Sequence, residues 1–317
     1  MNENQLLCNG SHYLLLNPPN PRHGLTVGSL YIILSLMGIP LTLLLLVILS
    51  THKYKKIACF KLIYITTFAD FVNLTNAGLI SGLMSITQVT FCDNHLEWLY
   101  VYEQIYLGGW YFYCISFEVL SFNRMLSFVS ERWSTLLFRG KRAWLWLIPM
   151  ATYSTIGVFC GFAVYLPNEG ILIDSESSIF HFANNLLKLG VVACCNVIML
   201  YRINLLLKAT TPNDKFTRAR IKLSLQTFGI ALLGDVTGCT YLTALHLPKN
   251  WIISRYSSVL GQVLWLLLHS GSAFIMFAFN SKIRTQIVSV LSGSARGTSR
   301  VTHARNISRA QHRLPTK

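Results

Sequence analysis

The chain has 317 residues, of which 52% are hydrophobic and only 12% charged, and it carries a net charge of +15. A soluble domain has about twice that share of charged residues. The apolar residues fall in long unbroken blocks, which argues against a soluble core and against the ten-residue alternating strands of a transmembrane barrel.

Residues 1–24 are polar and contain Pro18, Pro19 and Pro21. No cleavable signal peptide is apparent: the first apolar block is too long for a signal h-region and reads as an uncleaved anchor. A membrane-spanning helix needs roughly 20 apolar residues. Seven stretches meet that length, predicting helices over residues 25–50, 60–87, 98–124, 143–166, 179–205, 221–247 and 254–280. Blocks 25–50, 143–166 and 256–281 hold no Asp, Glu, Lys or Arg. The others hold Asp70 (second span), Glu103 and Glu118 (third), Lys188 (fifth) and Asp235 (sixth). The expected fold is therefore all-α, a seven-transmembrane-helix bundle, since helices satisfy their own backbone polar groups in lipid. Residues 282–317 are predicted to be a basic tail, disordered for its richness in Ser, Arg, Gly and Thr.

The basic residues set the orientation. The first, third and fifth gaps and the tail hold 23 of the 27 Lys and Arg residues. The positive-inside rule puts them in the cytoplasm, with the N-terminus extracellular and the C-terminus cytoplasmic. The net charge is thus a membrane signature, and no nucleic-acid partner is expected. Two readings of the basic face stay open, anionic membrane lipid and an acidic protein partner. Asn9-Gly10-Ser11 is a glycosylation sequon on the outer side. Of eight cysteines, only Cys8 and Cys92 lie on the oxidising side outside the spans. Cys92 has two candidate partners, Cys8 and Cys160 near the outer end of helix 4.

An ionisable group inside a span is costly and suggests function. Lys188 and Asp235 sit at similar depth on consecutive helices at 1.5 Å rise per residue. They either pair across the bundle or meet backbone and water separately. Stepping outward from Arg124 in threes and fours gives Phe117, Tyr113, Trp110, Tyr106 and Glu103 on one face of helix 3. That stripe is either packing or the wall of an outward-opening cavity. Candidate ligand-binding residues are Glu103, Tyr106, Trp110, Lys188 and Asp235. His269 in helix 7 is isolated and reads as hydrogen-bonded within the bundle. No nucleophile–base set and no Cys/His cluster with metal spacing emerges. No enzyme activity, metal or cofactor is expected.

Several motifs resemble those of G-protein-coupled receptors. Phe68-Ala69-Asp70 resembles the Ala-Asp pair of helix 2. Ser121-Phe122-Asn123-Arg124 stands where an acidic-Arg-Tyr motif ends helix 3, and Trp144-Leu145-Trp146-Leu147-Ile148-Pro149 resembles the Trp-to-Pro stretch of helix 4. Asn123 replaces the acid, and Phe279-Asn280-Ser281-Lys282-Ile283-Arg284 replaces the Asn-Pro-x-x-Tyr motif. With Cys59-Phe60-Lys61, Phe91-Cys92 and Leu137-Phe138-Arg139-Gly140-Lys141-Arg142-Ala143-Trp144, these departures resemble the nematode serpentine chemoreceptors, class T in particular. The likeness runs through all seven helices in order. It implies a multi-pass receptor of the cell membrane, in a sensory cilium, that binds an extracellular small molecule and activates a heterotrimeric G protein. By it, Asp70, Asn123, Arg124 and Asn280 are the expected coupling and switch residues. Arg124 would engage the G protein, although a cation at a helix C-terminus is also favoured by the helix dipole. Two alternatives are a ligand-gated channel of the insect odorant-receptor kind, whose amino end lies inside, and a non-signalling membrane protein.

Overall fold

The computed structural model describes residues 21–89, 97–160, 163–166, 170–174, 179–209, 215–245 and 254–291. The first span is α1 (Pro21–Leu49), followed by a short turn of helix, α2 (His52–Lys55). The second span has three parts: α3 (Ala58–Leu74), a wide π-helical segment (Thr75–Ile80) and α4 (Ser81–Thr87). The third span is α5 (Glu97–Val129), and α6 (Glu131–Phe138) follows it. The fourth span comprises α7 (Arg142–Leu145) and α8 (Leu147–Cys160). A hairpin of β1 (Ala163–Leu166) and β2 (Ile171–Asp174) leads to the fifth span, α9 (Ile179–Ala209). The sixth span is α10 (Lys215–Leu245), the seventh α11 (Ser254–Phe279), and α12 (Ser281–Leu291) follows. The chain is thus a seven-helix bundle, as its apolar blocks predict.

Helices Pro21–Leu49, Arg142–Cys160, Ile179–Lys208 and Tyr256–Phe279 are each long and apolar enough to cross a membrane on composition alone. Spans two, three and six carry more polar groups, and these point inward. Asp70, Asn73, Glu103 and Ser116 are all 0% exposed. Leu25, Ile33, Met37, Ile105, Val197 and Phe274 are exposed, so the outward face is apolar. That inversion of the soluble pattern is what a lipid solvent demands.

Lipid supplies no hydrophobic drive between helices, so close packing and hydrogen bonds must hold the bundle. Two Gly-xxx-Gly pairs, Gly24/Gly28 and Gly78/Gly82, bring spans one and two together. A Cβ at Gly28 would run into the carbonyl oxygen of Gly82, and one at Gly82 would lie 2.8 Å from that of Gly28. Only glycine lets the two backbones touch here. Gly157 likewise seats α8 against the ring of Tyr111, and the Ser154 hydroxyl donates to the Gly108 carbonyl at 2.7 Å.

The π-helical segment loosens the helical ladder, and neighbouring side chains make good the loss. Tyr102 Oη donates to the Asn76 carbonyl at 2.8 Å, and Ser81 Oγ donates to the same oxygen at 3.1 Å. Gln262 Nε2 donates to the Ala77 carbonyl at 2.9 Å, and Ser35 Oγ donates to that of Leu74 at 3.2 Å. Groups from spans one, three and seven therefore meet at this irregularity. Such widenings occur frequently at functional sites.

Three expectations need correction. The fourth helix, predicted to run to residue 166, ends at Cys160, and Ala163–Leu166 forms β1 instead. Apolarity alone misled there; β-prone Val164 and Tyr165 ahead of Pro167 are the strand signal. The tail begins with an ordered helix, α12, where disorder from residue 282 was expected. Its start is capped by Asn280, whose Oδ1 accepts from the Ile283 backbone N–H at 3.3 Å. Arg284 Nη1 donates to the carbonyls of Phe277 and Ala278, the last carbonyls of α11. Lastly, α5 runs on to Val129, so Arg124 stands more than one turn before the helix end. The dipole effect falls off within the last turn and contributes little there.

Candidate functional site

The stripe of helix 3 forms the centre of the bundle. Glu103, Tyr106, Trp110, Tyr113, Phe117 and Arg124 are all buried. Tyr113 stacks between Trp110 and Phe117, with ring centroids 5.8 and 5.9 Å away. Trp265 of the seventh span closes the upper part, 4.4 Å from Trp110 and 5.6 Å from Tyr106. Gln262, one turn further out, donates through Nε2 to Tyr106 Oη at 3.2 Å. Aromatic rings packed at these distances hold helix 3 and helix 7 in register.

Between the third, fifth and sixth spans lies a cavity of about 10 Å³ lined by Trp110, Asn185, Lys188, Gly234, Asp235 and Gly238 among others. Three of the five candidate ligand residues, Trp110, Lys188 and Asp235, thus meet at one place. Tyr106 reaches it through Trp265, and Glu103 sits one turn further out. Trp110 is oriented by its indole N–H, which donates to Asn185 Oδ1 at 3.0 Å. Asn184 accepts at Oδ1 from Tyr153 Oη at 2.9 Å and so ties the fourth span to the fifth.

Lys188 is 3% exposed. Its ammonium stands over the rings of Trp110 and Tyr113 at 5.4 and 5.9 Å and donates to the Gly234 carbonyl at 3.3 Å. Desolvated cation–π contacts of this kind contribute about 2 kcal/mol. The Lys188–Asp235 ion pair considered from the sequence is not formed: Lys188 bonds the carbonyl one residue before Asp235 instead. The reason is local, since Gly234 has no side chain to hold the ammonium off its backbone.

Asp70 forms a different pair. Its Oδ1 lies 2.7 Å from His269 Nδ1, and both side chains are within 1% of full burial. His269 packs edge-on against Tyr113 at 4.6 Å. A continuous path therefore runs from the cavity through Trp110, Tyr113 and His269 to Asp70. His269 is not isolated, and a signal for it was present. Gln262, Trp265, His269 and Ser272 recur at threes and fours in an otherwise apolar helix.

At the inner end Arg124 Nη2 donates to Asn123 Oδ1 at 2.7 Å. Arg220 of α10 stands 4.8 Å over the ring of Phe128. Asn280 belongs to a separate compact unit beginning at Met276, where it caps α12. Cys8, Asn9 and Cys92 lie outside the described residues, and Cys160 is a free, exposed thiol. Among the described residues, no three His, Cys, Asp or Glu side chains are placed to hold a metal. A larger groove of about 420 Å³ between spans two, three and four is lined by Phe68, Val72, Ile105 and Phe112. Phe68 and Ile105 are half-exposed, so that groove faces the bilayer rather than the polar path.

The family model described as serpentine type 7TM GPCR chemoreceptor Srt matches residues 17–299, nearly the whole chain. The chain belongs to the Srt family. Srt chemoreceptors are seven-helix G-protein-coupled receptors by that description, and the multi-pass membrane bundle described above is the expected architecture. Among solved structures, squid rhodopsin superposes with a TM-score of 0.68 at 12% identity, covering 88% of this chain and 87% of its own. That likeness concerns the fold. No curated protein matches the sequence. The family description is that of a G-protein-coupled receptor, in place of the channel reading.

Proposed function

We propose that this Srt receptor binds a small molecule arriving from outside the cell and passes the event to a heterotrimeric G protein. The observation that carries the reading is the convergence of Trp110, Lys188 and Asp235 on one cavity, joined by packed rings to the buried Asp70–His269 pair. A ligand that wedges between spans three, five and six binds one arrangement of those spans better than another. It shifts the population by that difference in affinity. A coupling free energy of about 1–3 kcal/mol between the cavity and the inner face is the usual size. Glu103 and Tyr106 form the outer wall of the ligand path. Asp70, Asn123, Arg124 and Asn280 are the relay toward the cytoplasm, where basic gaps face lipid headgroups and the G protein. In this reading the N-terminus is extracellular, Asn9 glycosylated, Cys8 bonded to Cys92, and the receptor sits in a sensory cilium.

The test is a second-messenger screen of small odorant molecules on cells expressing the receptor, with Trp110→Ala and Arg124→Ala in parallel. Wild-type cells respond. Trp110→Ala shifts the dose–response to higher concentration, and Arg124→Ala abolishes the signal while surface expression persists. A response of equal size in cells expressing Arg124→Ala would overturn the coupling role.

A further inference from the structure

Resting on that reading of the cavity, we infer that its polar end selects an uncharged ligand carrying one group that both donates and accepts a hydrogen bond, an alcohol above all. The polar end of the cavity has unused hydrogen-bonding capacity. The Lys188 ammonium has three N–H donors, and its hydrogen bond is the one to the Gly234 carbonyl. Asp235 Oδ1 is buried without a partner, and so is Tyr113 Oη. Lys188 and Asp235 line the same cavity without touching each other. Lys188 is buried and Asp235 part-buried, and the ammonium bonds the Gly234 carbonyl rather than the carboxylate.

The size of the gap sets what fits. Its volume of about 10 Å³ is close to the least that holds one water-sized group. One oxygen that accepts from Lys188 Nζ and donates to Asp235 Oδ1 satisfies both walls at once. A ketone or ester oxygen serves Lys188 and leaves Asp235 unsatisfied, which a buried site penalises heavily. A primary amine brings a second cation to Lys188, and a carboxylate brings a second anion to Asp235. Only a neutral donor–acceptor group preserves the existing charge balance. The cavity as it stands holds only that polar group, so the apolar part of the ligand enters by parting Trp110 and Leu189, which line the same cavity.

Gly234 offers the smallest substitution at this point. A Cβ at this position would stand 3.2 Å from Lys188 Nζ and 3.9 Å from Tyr113 Oη, inside the polar end of the cavity. Alanine is also a better helix former than glycine, so Gly234→Ala narrows the gap without breaking the helix, while the Lys188 ammonium gives way by a few tenths of an ångström.

The experiment uses the full-length receptor in lipid nanodiscs. Its tryptophan fluorescence is titrated with a linear primary alcohol and with the ketone, amine and carboxylate of the same chain length. The alcohol is expected to bind wild type at least about tenfold more tightly than the other three. Gly234→Ala is expected to lose that preference while still unfolding in a single cooperative transition. Asp235→Asn, which keeps an acceptor oxygen without the charge, should retain alcohol binding and relax the exclusion of the carboxylate. Equal binding of alcohol and ketone overturns the inference, as does alcohol binding that Gly234→Ala leaves intact. Absence of binding by all four overturns it too. None of those results touches G-protein coupling, which the cell screen with Arg124→Ala decides separately.

Discussion

At the scale of single residues, the Asp70–His269 contact is the most demanding feature of the bundle. Both side chains are fully buried and 2.7 Å apart. Removing one partner takes away a buried hydrogen bond of the other, which costs about 1–3 kcal/mol. His269→Ala should therefore lower the melting temperature of the detergent-solubilised receptor. Adding Asp70→Ala to it should cost less than the two single changes summed, giving a double-mutant coupling of about 0.5–3 kcal/mol. Strict additivity would mean that the contact contributes nothing. The sequence reading identified Asp70 as a functional group but not its partner. Position along a helix shows which face a residue occupies, not which residue of a distant helix it meets, and these two are separated by 199 positions. Lys188 makes the same point in the opposite direction. Depth matching put it opposite Asp235, whereas the ammonium bonds the backbone oxygen of the preceding residue, Gly234.

At the scale of elements, the first two spans hold together through backbone contact at Gly28 and Gly82. Gly82→Val would force the helices apart at a cost of about 1–3 kcal/mol, as overpacking generally does. Reduced surface expression and a lower melting temperature would register it, and an unchanged melting temperature would refute the contact. Gln262→Ala tests a second element-level device. It removes the donor to the Ala77 carbonyl in the π-helical segment, and hydrogen exchange should rise locally at Thr75–Ile80 while other spans keep their protection. Seven helices were readable because a span of lipid needs about 20 apolar residues and little else. The irregular pitch of the second span was not, since Thr75-Asn76-Ala77-Gly78-Leu79-Ile80 contains no proline and its widening is held by side chains from three other helices. The β1–β2 hairpin was missed for a related reason: hydropathy counts apolar residues without regard to whether lipid or a neighbouring strand surrounds them.

At the scale of the whole molecule, the distribution of Lys and Arg predicts the threading. An epitope placed after Leu291 should be reached by antibody only in permeabilised cells, and one placed before Pro21 should be reached in intact cells. The opposite pattern would invert the proposed direction of signalling. The family match extends over residues 17–299, so the same threading should hold for relatives that share these basic gaps. The π-helical segment carries a consequence for such comparisons. A π-turn accommodates one residue more than the α-turn it replaces, and one residue is about 100° of rotation in an α-helix. Losing a single position between Thr75 and Ile80 should therefore let the wide turn close to an α-turn while Ser81 and Gly82 keep their present facing. An alignment of this chain with a seven-helix protein whose second span is α-helical throughout therefore requires a one-residue gap inside that span. Without it, each equivalence drawn for the outer half of that span compares a lipid-facing side chain with an interior one.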